Sequence, residues 1–284
     1  MRVGYPAEND KDRVKYLWKY CFGDSDAFIE YFFTNYYKKE NTLAIFDDDK
    51  IVSYLMIFPN ELSIGGNVKK AAYVAGVCTD PLYRGKGCIN ILMRSLDERL
   101  LKEGYEAAFL IPFNFAFYRK YGFECISFLS IFEGEITTLP SFGSKNGKFQ
   151  GKEEVYARFC KNKDVYLVRN RQSEDMFLRD SLAEGGYHFE DEDVFMYYYL
   201  ENDTFFAREL VYASVEGAKK ALSFIKAHSA QVSKFKIRSD FGLSKLLCEK
   251  NININVKPHV VAKFYDKSKH AQNVENYINM IGWV

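Results

Sequence analysis

Three features of the 284-residue chain predict a mixed α+β fold. Apolar runs of strand length succeed one another between residues 42 and 80, separated by turn residues. A helical period then starts at Ile89 and leads into a further strand, helix and strand. After a glycine- and serine-rich stretch at 139–151, this alternation partly recurs.

Taken in order, residues 7–20 read as a helix with Val14, Leu17 and Trp18 on one side. Asp24 and Asp26 precede AFIEYFFTNYY, a second helix with aromatic spacing. The strands TLAIFDDD, KIVSYLMIF, NELSIGG and VKKAAYVAGVCTD follow, broken at Asp47-Asp48-Asp49-Lys50, Pro59-Asn60 and Gly65-Gly66-Asn67. Apolar residues at 89, 92, 93, 96 and 100 make the next helix, which Lys102-Glu103-Gly104 ends. YEAAFLIP is a short buried strand, NFAFYRKYG a short helix, and FECISFLSIFEGEI a strand. This gives one domain at 1–138 and a linker at 139–151. A second domain at 152–284 has helices at 153–160, 173–183, 216–227 and 243–249. Its strands are 164–168, EDVFMYYYL, FFARELVYAS, KFKIRS and KPHVVAKFYD, with a short helical tail at 267–284. It lacks a glycine-rich turn between strand and helix, so it reads as a second unit of similar layout without a ligand loop.

Composition narrows the function classes. With 48% apolar and 17% aromatic residues, a large core can form. A net charge of +1 leaves no basic excess to neutralise phosphates, against a protein built around nucleic acid. The cysteines at 21, 78, 88, 125, 160 and 248 include no C-x-x-C pair and read as reduced thiols of a cytoplasmic protein. No signal peptide is read at the N-terminus, and no apolar run approaches the ~18 residues of a membrane span. No metal is expected. The acidic runs 47–49 and 190–193 read as solvated turns, and the histidines at 188, 228, 259 and 270 lack ligand spacing.

The most informative stretch is VCTDPLYRGKGCINILM, residues 77–93. A strand stops at Asp80-Pro81 and a helix begins after Arg84-Gly85-Lys86-Gly87. A helix N-terminus carries unpaired N–H groups and partial positive charge, which suits phosphate. Gly85 and Gly87 let the backbone approach a ligand, and Arg84 and Lys86 add charge. The spacing fits neither a P-loop nor a dinucleotide fingerprint. Taken alone, the G-x-G equally describes a turn with solvated cations.

VCTDPLYRGKG resembles motif A of the GNAT N-acetyltransferases, where the pattern [RQ]-x-x-G-x-[GA] holds the pyrophosphate of acetyl-coenzyme A. Arg84 and Gly87 take the first and fourth positions, while Ile89 departs from the sixth. The enhanced-intracellular-survival (Eis) branch has such an apolar residue, and LIPFNFAFYRKYGFE (110–124) and CFGDSDAF (21–28) also resemble it. The resemblance covers about 1–135 and is weaker over 150–266. It implies two tandem GNAT-like domains, the first catalytic and the second degenerate. The chain ends where Eis proteins continue into a sterol-carrier-like third domain. The resemblance also implies homo-oligomers, assembled partly through that missing part.

Its implied cofactor-binding set is Val77, Cys78, Thr79, Arg84, Gly85, Lys86, Gly87, Cys88, Ile89 and Asn114, with acetyl-coenzyme A as co-substrate. Tyr118 is the implied acid for the leaving thiolate. A phenol near pKa 10 can donate to a thiolate whose thiol is near 8.5. For the base, three options stand: the carboxylate of Val284, an acid at Asp24 or Asp26, or water. Asp24 equally reads as the N-cap of the second helix. Tyr121 reads as a packing residue. The implied acceptor is a small-molecule primary amine or a lysine, with no nucleic acid or membrane partner. Two rivals remain: a tandem transferase acting on a cell-wall precursor, and a non-catalytic acyl-coenzyme-A-binding module.

Overall fold

A computed structural model gives the positions of residues 1–143, 147–247 and 251–265. It divides into two compact units. The first comprises Met1–Leu62, Val68–Glu124 and residues 261–265; the second comprises Ser63–Asn67 and Cys125–Val260.

In the first unit the strands are β1 (Arg2–Gly4), β2 (Thr42–Asp47), β3 (Lys50–Ile64), β4 (Asn67–Thr79), β5 (Ala107–Leu110) and the last residues of β12 (Asn253–Phe264). They lie in that order across the sheet. β1 and β2 run antiparallel, as do β2 and β3 and β5 and β12, whereas β4 and β5 run parallel. The parallel pair needs a crossover, and α3 (Cys88–Lys102) supplies it. Its apolar stripe, Leu92, Met93, Leu96 and Leu100, is buried with Ile45, Val52, Val74 and Leu110 of the sheet.

The helices α1 (Lys11–Phe22) and α2 (Asp26–Asn35) carry an aromatic layer. The Trp18 ring centroid lies 4.5 Å from that of Phe32, and the Tyr54 hydroxyl donates to the Val14 carbonyl at 3.1 Å. Gly23 closes α1 in the left-handed region, φ 74°. Ser25 caps α2 by accepting from the Phe28 N–H. Asp24, read from sequence as that cap, is one residue short of it.

Two expected strands, KIVSYLMIF and NELSIGG, are one. β3 passes through Pro59, which is exposed; strands tolerate proline where its missing N–H has no partner to meet. β1 and β8 were not legible from periodicity.

The second unit holds β6 (Glu124–Glu135), α5 (Lys152–Cys160), β7 (Val165–Leu167), α6 (Arg171–Ala183) and β8 (Tyr187–Asp191). It continues with β9 (Val194–Glu201), β10 (Thr204–Tyr212), α7 (Val215–Ala227), β11 (Lys234–Ser239) and α8 (Ser244–Leu247). The sheet order is β6-β11-β10-β9-β8, with β10 and β11 parallel. The compact units change over at Glu124/Cys125. The cause is hydrogen bonding. β6 ladders with β11, Phe132 opposite Ile237, and β12 ends opposite β5, Val261 facing Leu110. The expected tail helix at 267–284, and Cys248, lie outside the described residues.

The crossover β10–α7–β11 repeats the layout of β4–α3–β5, but its helix start differs. Ser214 caps α7 by accepting from the Gly217 N–H, and Glu216 stands in the first turn. A side-chain cap and an acidic residue there disfavour an anion.

Beneath that sheet lies a buried ion pair. Arg169 donates to Glu209 through both terminal nitrogens, at 2.9 and 2.7 Å, and Glu174 lies 3.4 Å from it. The guanidinium stands over the rings of Tyr156 and Phe177. Glu209 is fully buried. Glu209→Ala should lower the unfolding free energy by about 3–5 kcal/mol, because the Arg169 charge would stay buried without its bidentate partner. Urea unfolding of the two proteins measures this; a loss below about 1 kcal/mol would mean that water or Glu174 replaces the carboxylate.

Candidate active site

β4 and β5 pair only from Ala71↔Ala107 to Tyr73↔Phe109. Beyond Tyr73 the two strands part, and among the described residues no β5 partner is paired with Val74–Thr79. A second irregularity lies within that stretch. Gly76 has φ +60°, and a Cβ at this position would stand 2.7 Å from the Trp18 ring. Only glycine allows both that conformation and that approach. The Trp18 indole N–H donates to Asp24 at 2.7 Å. Asp24 thus orients the ring that lies against the kink just before Val77. The sequence reading missed Gly76, because nothing local marks the close approach of a helix 58 residues away.

The chain leaves β4 through a short turn at Pro81–Tyr83, where the Asp80 carboxylate accepts from the Leu82 N–H at 3.0 Å and pairs with Arg13. Gly85 and Gly87 follow at φ +77° and +80°. Gly87 occupies the N-cap place of α3, which has no side-chain cap and no acidic residue in its first turn. Four N–H groups at a helix start lack helical acceptors. Here they open beside a cavity of about 650 Å³.

That cavity gathers much of the expected set. Val77, Thr79, Arg84, Gly85, Gly87 and Ile89 line it. So do Cys88 and, on α4 (Phe115–Arg119), Tyr118. Three expected residues stand apart from the lining. Cys78 is buried, at 1% exposure. Lys86 is exposed, with its ammonium 4.5 Å from the Tyr83 ring centroid. Asn114 caps α4 by accepting from the Phe117 N–H at 3.1 Å. Asp24 is held by Trp18, as above, and Asp26 pairs on the surface with Lys19. Val284 lies outside the described residues.

Tyr118 is 3% exposed and packed among Phe113, Phe117 and Phe123. Burial pushes its phenol well above the ordinary value, so the group stays protonated through the physiological range. Tyr121 does more than pack. It lines the cavity, and its hydroxyl donates to Asn90, in the first turn of α3, at 2.6 Å. This bond ties α4 to the helix start.

Sequence reasoning also missed Cys21 and Phe22, which reach the cavity from the end of α1. The Cys21 thiol contacts the Thr79 carbonyl at 3.8 Å and accepts from Arg84 at 3.9 Å. A hydrogen bond from Cys78 draws the Cys21 thiol down to about 6, helped by Thr79 and Arg84 and opposed by partial burial. Among the described residues the lining includes no carboxylate; its charged members are Arg84 and Lys120. No described group of three or more His, Cys, Asp or Glu is placed to hold a metal ion, and no described helix is long and apolar enough to cross a membrane.

Residues 2–126 match the family model of the acetyltransferase (GNAT) domain. Over that stretch the chain is similar to a GNAT acetyltransferase domain. Its structure resembles a probable N-acyltransferase from Enterococcus faecalis V583, with TM-score 0.78 and 20% identity over 93% of this chain and 72% of that one. It is similar to a GCN5-related N-acetyltransferase from Anabaena variabilis, with TM-score 0.78 and 18% identity over 93% and 73% of the two chains. Eis1 from Mycobacterium abscessus matches with TM-score 0.71 and 12% identity over 93% and 74%. No curated protein sequence matches the chain. At these identities the structural likeness speaks for the fold, and the domain match over residues 2–126 supports an acyltransferase.

Proposed function

We propose that this GNAT protein transfers an acetyl group from acetyl-coenzyme A directly to a primary amine of a small molecule or a lysine. The observation that carries the reading is the convergence of an uncapped helix start, a free strand edge and a protonated buried tyrosine on one cavity. The amides of α3 after Gly87, with Arg84, would take the pyrophosphate. The unpaired edge of β4 near Val77 would hydrogen-bond the amide-bearing arm of the cofactor. A backbone N–H on that edge would polarise the thioester carbonyl. Tyr118 would protonate the departing thiolate, whose C–S bond breaks as the amine nitrogen bonds to the acetyl carbon.

The base is assigned to water. Among the described residues the lining offers no carboxylate, and Asp24 is occupied by the indole. The same charge pattern sets a preference. With Arg84 and Lys120 as its charged members, the lining has no counter-charge for a polycation among the described residues. Amines of single charge should therefore be turned over in preference to polyamines.

Titration calorimetry with acetyl-coenzyme A tests the cofactor site. Binding near micromolar, roughly −8 kcal/mol, is expected, and no heat at millimolar ligand would overturn it. An amine panel with detection of released thiol then tests transfer. Turnover of polyamines above that of monoamines would overturn the charge reading.

A further inference from the structure

One buried ring stands behind two residues of the cavity wall. Phe22, the last residue of α1, and Val77 of β4 both line the cavity. The Trp18 ring centroid lies 4.9 Å from that of Phe22. A Cβ on Gly76, the residue before Val77, would stand 2.7 Å from the same indole. Trp18 is 6% exposed and packs against Phe32 and Phe33 of α2. The one polar atom of its side chain, Nε1, donates to Asp24 at 2.7 Å. We propose that Asp24 is a positioning residue for acetyl transfer: through Trp18 it fixes the direction of the β4 backbone at Val77.

The kink is where β4 most needs an outside brace. Pairing with β5 ends at Tyr73. On its other edge the strand is tied to β3 only past the kink by side chain and turn. There the Ser53 hydroxyl donates to the Cys78 carbonyl at 2.7 Å, and the Asp80 N–H donates to the Val52 carbonyl at 2.8 Å. Gly76, at φ +60°, has no side chain of its own to hold it, and glycine is the most permissive residue. What limits it is what it touches. The Trp18 ring lies on it, and the Tyr54 ring would stand 3.6 Å from its Cβ. The Tyr54 hydroxyl in turn donates to the Val14 carbonyl, so α1 braces the kink at two points.

Packing alone leaves one of these braces soft. The second side-chain torsion of a tryptophan is broad, so its ring can tilt within a packed layer. The hydrogen bond to Asp24 selects one tilt. Asp24 is placed for this by the turn between the helices. Gly23 closes α1, Ser25 supplies the cap of α2, and the carboxylate between them serves the indole. Asp24 is not among the residues lining the cavity, so it acts through the ring and not on a ligand.

The consequence for catalysis rests on the cofactor assignment given above; the bracing of the kink does not. If the Val77 edge holds the cofactor arm and polarises the thioester, a tilted kink misdirects both. A misplacement of about 1 Å costs up to about 100-fold in rate. Affinity should change less, because Arg84 and the start of α3 are untouched.

The test compares the parent with Asp24→Asn and Asp24→Ala. An asparagine oxygen can still accept from the indole; alanine cannot. The first readout needs no cofactor. In nitrogen-15 NMR spectra, the Trp18 indole resonance, assigned by its loss in Trp18→Phe, and the Gly76 and Val77 amides should move in Asp24→Ala and stay near the parent in Asp24→Asn. Unmoved amides in Asp24→Ala would overturn the proposal, whatever the substrate. Should Asp24→Ala not fold, Asp24→Leu keeps the shape without the acceptor, and the same shifts are expected. The second readout is turnover. Asp24→Ala should lose kcat by about 10–100-fold with little change in acetyl-coenzyme A affinity, and Asp24→Asn should recover most of it. Asp24→Asn as inactive as Asp24→Ala, with its amides at the parent positions, would make Asp24 a direct participant and overturn positioning. Full turnover in Asp24→Ala would overturn it too. A parent that neither binds acetyl-coenzyme A nor acetylates any amine removes the cofactor assignment instead, and the amide shifts alone then decide whether Asp24 sets the kink.

Discussion

Gly87→Glu is expected to weaken acetyl-coenzyme A binding by about 100-fold or more, roughly 2.7 kcal/mol. Two effects combine. Gly87 sits at φ +80°, where an L side chain is strained by roughly 1–2 kcal/mol. That strain lowers stability but does not by itself block a ligand. In the free protein a Cβ at this position meets only the Asn90 side chain, 4.0 Å away. The space is therefore open on the side where the N–H groups of α3 begin. A glutamate would carry a negative charge into that space, against the helix start that the pyrophosphate would use. Gly87→Ala separates the terms: it should lose stability while keeping most of the affinity. Calorimetric titration of both variants decides. Binding of Gly87→Glu within about threefold of the parent would mean that the ligand does not enter past this turn.

How far this site was legible depends on the range of the interaction. The cradle is a local feature. Its glycines, cations, preceding strand and following helical period all lie within residues 77–93, and the structure has them in that arrangement. The capping of α4 by Asn114 and the burial of Tyr118 follow from a similarly local run. What the sequence hid is what distant segments do to each other. The kink at Gly76 has meaning only beside Trp18, and Trp18 is fixed only by Asp24. A sequence shows Asp24 as a helix-start residue, because that role is local and common. Cys21 likewise has no neighbour in sequence that marks it; its sulfur gains Arg84 and the Thr79 carbonyl through folding. A glycine-rich stretch at 139–151 can be read locally, whereas the ladder of β6 with β11 and the ending of β12 against β5 join segments far apart in sequence. β8 was missed because its residues, Tyr187–Asp191, are exposed or only partly buried and carry no apolar alternation.

Tyr118→Phe should reduce kcat by about 10²–10³-fold, the usual worth of a positioned general acid, while acetyl-coenzyme A affinity stays within about twofold. The ring contacts with Phe113, Phe117 and Phe123 survive the loss of the hydroxyl, so the fold of α4 is retained. The hydroxyl matters because of its protonation state. Burial raises its pKa, which keeps the phenol neutral and able to donate wherever the enzyme is folded. The sign of the shift makes a second, independent expectation. A donor with a raised pKa produces no loss of rate as pH rises from 7 to 10, so the parent profile should show no descending limb in that window. A thiolate leaving without help would give a variant with unchanged kcat. A purely structural tyrosine would give a variant that loses stability and cofactor binding together. The split between kcat and affinity therefore separates the acid from both alternatives, and the pH profile of the parent checks the protonation state on which the role depends.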